Sequence, residues 1–177
     1  MARDDGQEIK TLRETLIVAE STRRSMQSNR SVDSKPEVVL RTALWKAGLR
    51  GYRKNVKKLP GKPDIVFGKA KLAICVHGCF WHGCKKCKQK YRTPKTNPLY
   101  WTAKIQGNQQ RDERNRVLLV EMGYEVLVFW ECELGAKPAA SNQTSTASVE
   151  RKSGLELAVE KIRIALGRAQ HFAMQRP

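Results

Sequence analysis

Apolar side chains recur along three stretches of the chain at the three- and four-residue spacing of an α-helix. The first predicted helix begins after Ser34, a typical N-cap, has Pro36 in its first turn and ends before Gly48. A long second helix and a final amphipathic helix are predicted as well. The three predicted helices span residues 36–47, 99–122 and 150–168. The side chains predicted to be buried are Val39, Leu40, Ala43, Leu44, Ala47, Ile105, Val117, Leu118, Met122, Leu155, Ala158, Val159, Ile162 and Leu166.

Short apolar runs bounded by turn residues predict strands between these helices. They cover residues 64–67, 71–76 and 125–130, and the Gly-Lys pair at 68–69 predicts a hairpin between the first two. Three strands among helices predict an α/β fold with a mixed central sheet flanked by helices. Cys75 falls within the second strand, where packing is its expected role.

Basic residues are twice as frequent as acidic ones, because 34 Lys and Arg stand against 17 Asp and Glu, a net charge of +17. The excess is local, since residues 21–100 hold 20 basic and 3 acidic side chains. A surface this basic is expected to bind a polyanion, with nucleic acid as the leading candidate. Anionic lipid, ribosomal RNA or no ligand at all are alternatives that charge leaves open.

The five cysteines are expected to lie in a reducing environment, because the chain shows no secretory signal and no apolar run of membrane-spanning length. In that environment metal binding explains them better than disulfides do. Cys84 and Cys87 form a CxxC knuckle, and Cys79 and Cys132 complete a set of four thiolates suited to a closed, structural zinc site. Four unrelated buried thiols are the alternative.

Asp64 opens the first strand and faces the end of the second, a place where many nucleases hold Mg²⁺. A cap or turn role is also common for an aspartate after a turn. His77 and His82, two of the three histidines, lie in one loop and could move a proton during hydrolysis or bind zinc. Asp112 could orient one of them, or could be a solvated helix residue.

Two large aromatic residues, Phe80 and Trp81, stand in the same basic loop. Side chains of this kind can insert between base steps and kink DNA, and Met26 in the basic N-terminal arm could act similarly. Packing in the protein core is the alternative for all three.

Four motifs occur in one order along the chain: PGKPD at residues 60–64, VHGCFWH at 76–82, the segment 108–112, and WEC at 130–132. In these the chain resembles the bacterial very-short-patch repair (Vsr) endonucleases over residues 22–134. The resemblance implies a restriction-endonuclease-like α/β core with a structural zinc site. Outside it we expect an N-terminal extension, an Ala/Ser/Thr-rich linker and a C-terminal helical extension, at residues 1–21, 135–149 and 150–177.

The resemblance implies an Mg²⁺-dependent endonuclease that nicks DNA on the 5′ side of the thymine in a T:G mismatch. Such mismatches arise when 5-methylcytosine deaminates, and the nick starts very short patch repair. Asp64 and the backbone carbonyl of Val76 would bind Mg²⁺. His82, supported by Asp112, would be the base that activates water.

Further roles follow from the same resemblance. His77 would be a second active-site histidine, and Glu37 would bind water coordinated to the metal. The family's intercalating wedge corresponds to Phe80, Trp81 and Met26. Phosphate contacts are expected from Arg23, Arg24, Lys57 and Lys58.

The chain departs from the family pattern at two places. Val76 replaces a common threonine, which a carbonyl ligand tolerates. Cys84 takes the place of a histidine in the zinc set, and Cys87 comes one residue later than usual. Four thiolates still close a tetrahedral site.

Two competing hypotheses are a non-catalytic, zinc-stabilised DNA-binding module and a restriction-type nuclease that cuts both strands. A binding module has no reason to assemble Asp64, His82 and Asp112, and a wedge loop favours mismatch opening. The expected partners are mismatched duplex DNA and general mismatch-repair proteins, with no membrane partner. We expect a monomer in the bacterial cytoplasm, associated with the nucleoid.

Overall fold

The computed structural model describes residues 32–87, 98–135 and 153–174. In chain order the elements are α1 (Lys35–Lys46), β1 (Arg53–Lys54), β2 (Ile65–Phe67), β3 (Leu72–His77), α2 (Pro98–Glu121), β4 (Glu125–Trp130), α3 (Glu131–Gly135) and α4 (Gly154–Met174). No helix within these ranges is long and apolar enough to cross a membrane.

The four strands form one mixed sheet in the order β1-β2-β3-β4, with β3 and β4 parallel and the other pairs antiparallel. This arrangement, flanked by helices, confirms the α/β class. Sequence analysis missed β1, because two exposed charged residues carry no strand pattern. The register pairs His77 with Trp130, so the carboxyl ends of the two parallel strands lie side by side.

One face of the sheet carries the main core. Leu40 and Leu44 of α1 pack there with Ile74 of β3 and Ile162 of α4, all fully buried. Val39, by contrast, was predicted to be buried and is 41% exposed, because the helix turns its 40 and 44 positions to the sheet. The C-terminal helix α4 thus shares the core of the preceding elements.

The other face is covered by α2 over a smaller cluster formed by Leu59, Val66, Ala73 and Leu119. The prediction for the end of α2 was wrong: Val117, Leu118 and Met122 are 40–47% exposed, while Leu119 is buried. Apolar residues fill four consecutive positions here and cover every side of the helix. The sequence therefore carries no sign of which side meets the sheet.

The division of the chain into an endonuclease domain and extensions stays a prediction. The expected N-terminal extension lies outside the described residues, as does the expected linker apart from Gly135.

Candidate active site and cysteine cluster

Asp64 immediately precedes β2, and its carboxylate reaches across the hairpin to β3. Its Oδ2 accepts a hydrogen bond from the Val76 N–H at 2.7 Å. The pKa of Asp64 is raised from 3.8 to about 6, chiefly by burial and also by the nearby Glu37, and the hydrogen bond from Val76 and the charges of Arg41 and His82 limit the rise. A half-buried carboxylate with so little compensation is suited to a hard divalent cation.

Glu37 lies in the first turn of α1 and is only 4% exposed. Its Oε1 accepts hydrogen bonds from the backbone N–H and the hydroxyl of Ser34, at 3.2 and 2.6 Å. Its Oε2 accepts one from the Asp33 N–H at 3.1 Å. The carboxylate therefore caps its own helix while lying close enough to raise the pKa of Asp64.

Arg41, one turn further along α1, is a site residue that sequence analysis missed. Its guanidinium pairs with Asp33 at 2.5 Å and with Glu37 at 3.5 Å. The signal available was its spacing of four residues from Glu37, which places both side chains on one face of the helix.

His77 is the last residue of β3 rather than part of the following loop, and its ring stacks on that of His82, with centroids 4.1 Å apart and planes 12° apart. Nδ1 of His82 lies 2.5 Å from Oδ2 of Asp112 on α2, and Trp130 packs edge-on against His77. Burial and the neighbouring His82 lower the pKa of His77 to about 4, so this ring is neutral at pH 7. The sequence prediction that these groups lie together agrees with this geometry.

His77, His82 and Asp112 place ligand atoms within 4.8 Å of one another, as the ligands of one metal ion would be. Imidazole lone pairs lie in the ring plane, so two nearly parallel stacked rings do not aim them at one ion. Asp112 is also already bonded to His82. The geometry fits a hydrogen-bonded proton relay better than a chelate.

Helix α2 holds the loop of His82 at three points. Besides the Asp112 contact, the Asn108 side-chain amide donates to the Trp81 carbonyl at 2.8 Å and that of Gln109 donates to the His82 carbonyl at 3.1 Å. Sequence analysis assigned no role to Asn108 or Gln109. Their position one turn before Asp112 was the signal that they face the same loop.

Phe80 and Trp81 are half-buried and pack on a second aromatic pair at the start of α2. Trp101 lies 5.1 Å from Phe80 and 6.0 Å from Trp81 between ring centroids, and Tyr100 lies 5.3 Å from Trp101. Sequence analysis missed this supporting pair. The Phe80–Trp81 unit is thus partly exposed on a rigid aromatic base.

The predicted DNA contacts are placed in part. Lys57 and Lys58 are exposed in the segment between β1 and β2. The remaining three, Arg23, Arg24 and Met26, lie outside the described residues.

Three of the four predicted zinc ligands converge. The sulfur atoms of Cys79, Cys84 and Cys132 lie within 4.8 Å of one another, and those of Cys84 and Cys132 are 3.8 Å apart. Tetrahedral Zn–S bonds of about 2.3 Å imply sulfur separations of about 3.8 Å. The Cys132 N–H also donates to the Cys79 sulfur at 3.3 Å. The cluster therefore fits a tetrahedral thiolate site.

Cys87, the fourth predicted ligand, is half-buried and is not within that three-thiol set. Its charge is one of the smaller influences that raise the pKa of Cys132, after burial, so it lies near the cluster. Burial likewise raises the pKa of Cys79. Cys75 lies in β3 outside the cluster, and burial raises its pKa to about 12.

The short helix α3 ties the cysteine loop to the end of the sheet. The Glu131 carboxylate accepts from the Cys79 N–H at 3.3 Å. Glu133 accepts from the Trp130 N–H at 2.9 Å and pairs with Lys86 at 2.7 Å. The loop that carries His82 is thereby held from α2 on one side and from α3 on the other.

Known proteins resemble this chain over much of its length. The sequence profile of the family described as DNA mismatch endonuclease Vsr matches residues 17–89. The type II nicking enzyme V.NmeAIP of Neisseria meningitidis serogroup A is 47% identical over 107 residues, 60% of this chain and 74% of its own. The nicking enzyme V.NmeDIP of serogroup C is 39% identical over 139 residues, 78% and 93% of the two chains. The DNA mismatch endonuclease Vsr of Escherichia coli is 33% identical over 127 residues, 72% and 80%.

Proposed function

The chain belongs to the Vsr family of DNA endonucleases, and from that premise we propose that it nicks duplex DNA on the 5′ side of the thymine in a T:G mismatch. The observation that carries the proposal is the His82–Asp112 pair, which lies beside Asp64 at the carboxyl end of β3. The half-buried Phe80–Trp81 unit is in the same loop. Hydrolysis and base-pair opening would therefore share one rigid edge of the molecule.

Asp64 and the carbonyl of Val76 would hold Mg²⁺, and Glu37 would lie next to that site. When bound, the ion would supply positive charge that stabilises the negative charge developing on the phosphate. The raised pKa of Asp64 supports this assignment, because burial has left its carboxylate poorly compensated.

His82 would take the proton from the attacking water. Asp112 holds Nδ1, so the remaining ring nitrogen, Nε2, is the one placed for proton transfer, and the carboxylate stabilises the imidazolium that forms. His77 stays neutral at pH 7 because of its lowered pKa. It can therefore stack on His82 without adding a second positive charge.

Specificity for a mismatch would come from the cost of opening the base pair. A T:G wobble pair is less stable than a matched pair, so inserting Phe80 and Trp81 beside it costs less. Trp101 contacts both rings and would support them from the protein side. Lys57, Lys58 and the N-terminal Arg23, Arg24 and Met26 would add phosphate contacts and a second wedge.

Cys79, Cys84, Cys132 and the nearby Cys87 would hold a structural Zn²⁺. Four thiolates leave no open position, so the ion would stabilise the His82 loop and take no part in hydrolysis. We further propose that the protein acts as a monomer, at the bacterial nucleoid in the cytoplasm, together with general mismatch-repair proteins.

The restriction-type alternative predicts cleavage of both strands. Several relatives are named nicking enzymes, which favours cleavage of one strand. The binding-module alternative predicts DNA binding without any cut.

An Asp64→Asn variant separates catalysis from binding. We expect nicking to fall by at least about 10³-fold, because an amide is a poor ligand for Mg²⁺. Mismatch affinity in EDTA should stay near that of the wild type. The matched control is Glu113→Gln, which removes an exposed acid of α2 and should nick normally. Normal nicking by Asp64→Asn would exclude this site, and binding without nicking by the wild type would support the binding module.

A further inference from the structure

Arg41 is a largely buried cation beside the candidate active site, and the reaction described above assigns it no role. Its side chain is 13% exposed. Nη2 lies 2.5 Å from Asp33 Oδ1 and Nη1 lies 3.5 Å from Glu37 Oε2. Asp33 pairs in addition with the exposed Lys54 at 3.5 Å. Removing a guanidinium from water is costly unless carboxylates compensate it, so these two partners fix its position.

The charges around Arg41 belong to one small group. Glu37 is near enough to Asp64 to disfavour its ionised form, and Arg41 is near enough to favour it. Two carboxylates whose charges interact in this way repel each other unless a cation lies between or beside them. Among the residues that the structure describes, Arg41 is the cation that pairs directly with one of these carboxylates, that of Glu37.

The position of Arg41 also bears on the geometry of Glu37. The Glu37 carboxylate is held on its other side by Ser34 and the Asp33 backbone. Arg41 grips the Asp33 side chain, which belongs to a residue in the left-handed backbone region with φ 57°. Glu37 and the turn that caps α1 are thus anchored by one side chain.

We propose that Arg41 is a positioning residue of the nicking reaction, which holds Glu37 beside Asp64 and sets how tightly this carboxylate pair binds a divalent cation. The inference rests on the proposed function for the reaction that is measured. Its metal-binding part can be tested without any DNA.

Replacing Arg41 should separate two effects that act in opposite directions. In Arg41→Gln the positive charge is lost, so Mn²⁺, used as a spectroscopic probe, should bind at least about threefold more tightly. The nicking rate at saturating metal should nevertheless fall at least about tenfold, because Glu37 and the Asp33 turn that holds it lose the side chain that links them. A residue that only stabilised the fold would not combine tighter metal binding with slower nicking.

Arg41→Lys and Lys54→Gln are the matched variants. Lysine keeps the charge but cannot grip both carboxylates, so we expect metal affinity within about twofold of wild type and a reduced rate. Lys54→Gln removes the exposed partner of Asp33 and should keep both values within about twofold. In a Glu37→Gln background, Arg41→Gln should lower the nicking rate much less, which would show that Arg41 acts on the rate through Glu37.

The experiment measures Mn²⁺ binding to the DNA-free full chain by electron paramagnetic resonance, single-turnover nicking of a T:G duplex, and the melting temperature of each variant. Wild-type metal affinity and rate in Arg41→Gln would overturn the proposal, as would a rate loss matched by Lys54→Gln. If Arg41→Gln does not fold, a wild-type rate in Arg41→Lys overturns it. If the wild type fails to nick T:G duplexes, the proposed function fails, and the Mn²⁺ affinities still decide the role of Arg41.

Discussion

Asp64 shows at the scale of one residue how a binding site can reduce the stability of the protein that contains it. Its carboxylate is half-buried, accepts one backbone hydrogen bond and lies near a second carboxylate. The pKa of about 6 means that ionising this carboxyl group costs more in the metal-free protein than it does in water. Functional sites commonly contain such poorly compensated groups, which a ligand then stabilises.

The pH dependence of stability follows from this shift. A carboxyl group whose pKa rises from 3.8 to about 6 on folding binds its proton more tightly when folded, so its effect is to reduce stability as pH rises through this range. In EDTA, Asp64→Asn should therefore be more stable than wild type by about 1–2 kcal/mol at pH 7.5. That advantage should vanish near pH 4. Chemical denaturation at both pH values measures it, and an equal difference at both would refute the explanation.

At the scale of elements, polar and sulfur contacts hold the loop after β3 to α2 on one side and to α3 on the other. The cysteine cluster joins the loop after β3 to α3, which begins where β4 ends. If zinc binds there, the energy of binding stabilises the fold directly.

A Cys132→Ser variant tests whether zinc binding at the cysteine cluster stabilises the fold. The variant should lose stoichiometric zinc and at least about 2 kcal/mol of unfolding free energy, because one of the converging thiolates is removed. Cys75→Ser, which changes a half-buried thiol outside the cluster, should retain one zinc per chain. Metal analysis and denaturant unfolding give both quantities. Full zinc occupancy in Cys132→Ser would rule this cysteine out as a ligand.

Helix α4 belongs to the main core, and this can also be tested. Ile162 is fully buried against the elements that carry the site, while Ile164 on the same helix is 50% exposed. Ile162→Ala should cost about 2–5 kcal/mol of unfolding free energy, and Ile164→Ala less than about 0.5 kcal/mol. Equal effects in thermal or denaturant unfolding would show that α4 is an appendage to the core.

At the scale of the whole molecule, the sequence was sufficient for those features that have a local pattern. The hairpin and the cap at Ser34 lie where turn chemistry and periodicity predicted them. The motif resemblance predicted that Asp64, His82 and Asp112 lie together, although 48 positions separate the first from the last. The contact between His82 and Asp112 agrees with that prediction.

The remaining features depend on tertiary packing that local patterns do not encode. The two-residue β1 forms only because β2 offers it a strand to pair with. Leu119 is buried because α2 is rotated about its axis so that this side chain, and not its apolar neighbours, faces the sheet. Arg41 and Asn108 have ordinary helix-surface sequences around them. Their spacing from Glu37 and Asp112 indicates the helix face that each occupies, but the contacts with Asp33 and Trp81 are known only from the tertiary structure.

The most direct test of the account is a strand-resolved nicking assay on three duplexes that differ at one base pair: T:G, T:A and C:G. Each is incubated with Mg²⁺ or with EDTA. We predict Mg²⁺-dependent cleavage of a single strand, only in the T:G duplex and only on the 5′ side of the mismatched thymine. Cleavage of all three duplexes, or of both strands, would contradict the account.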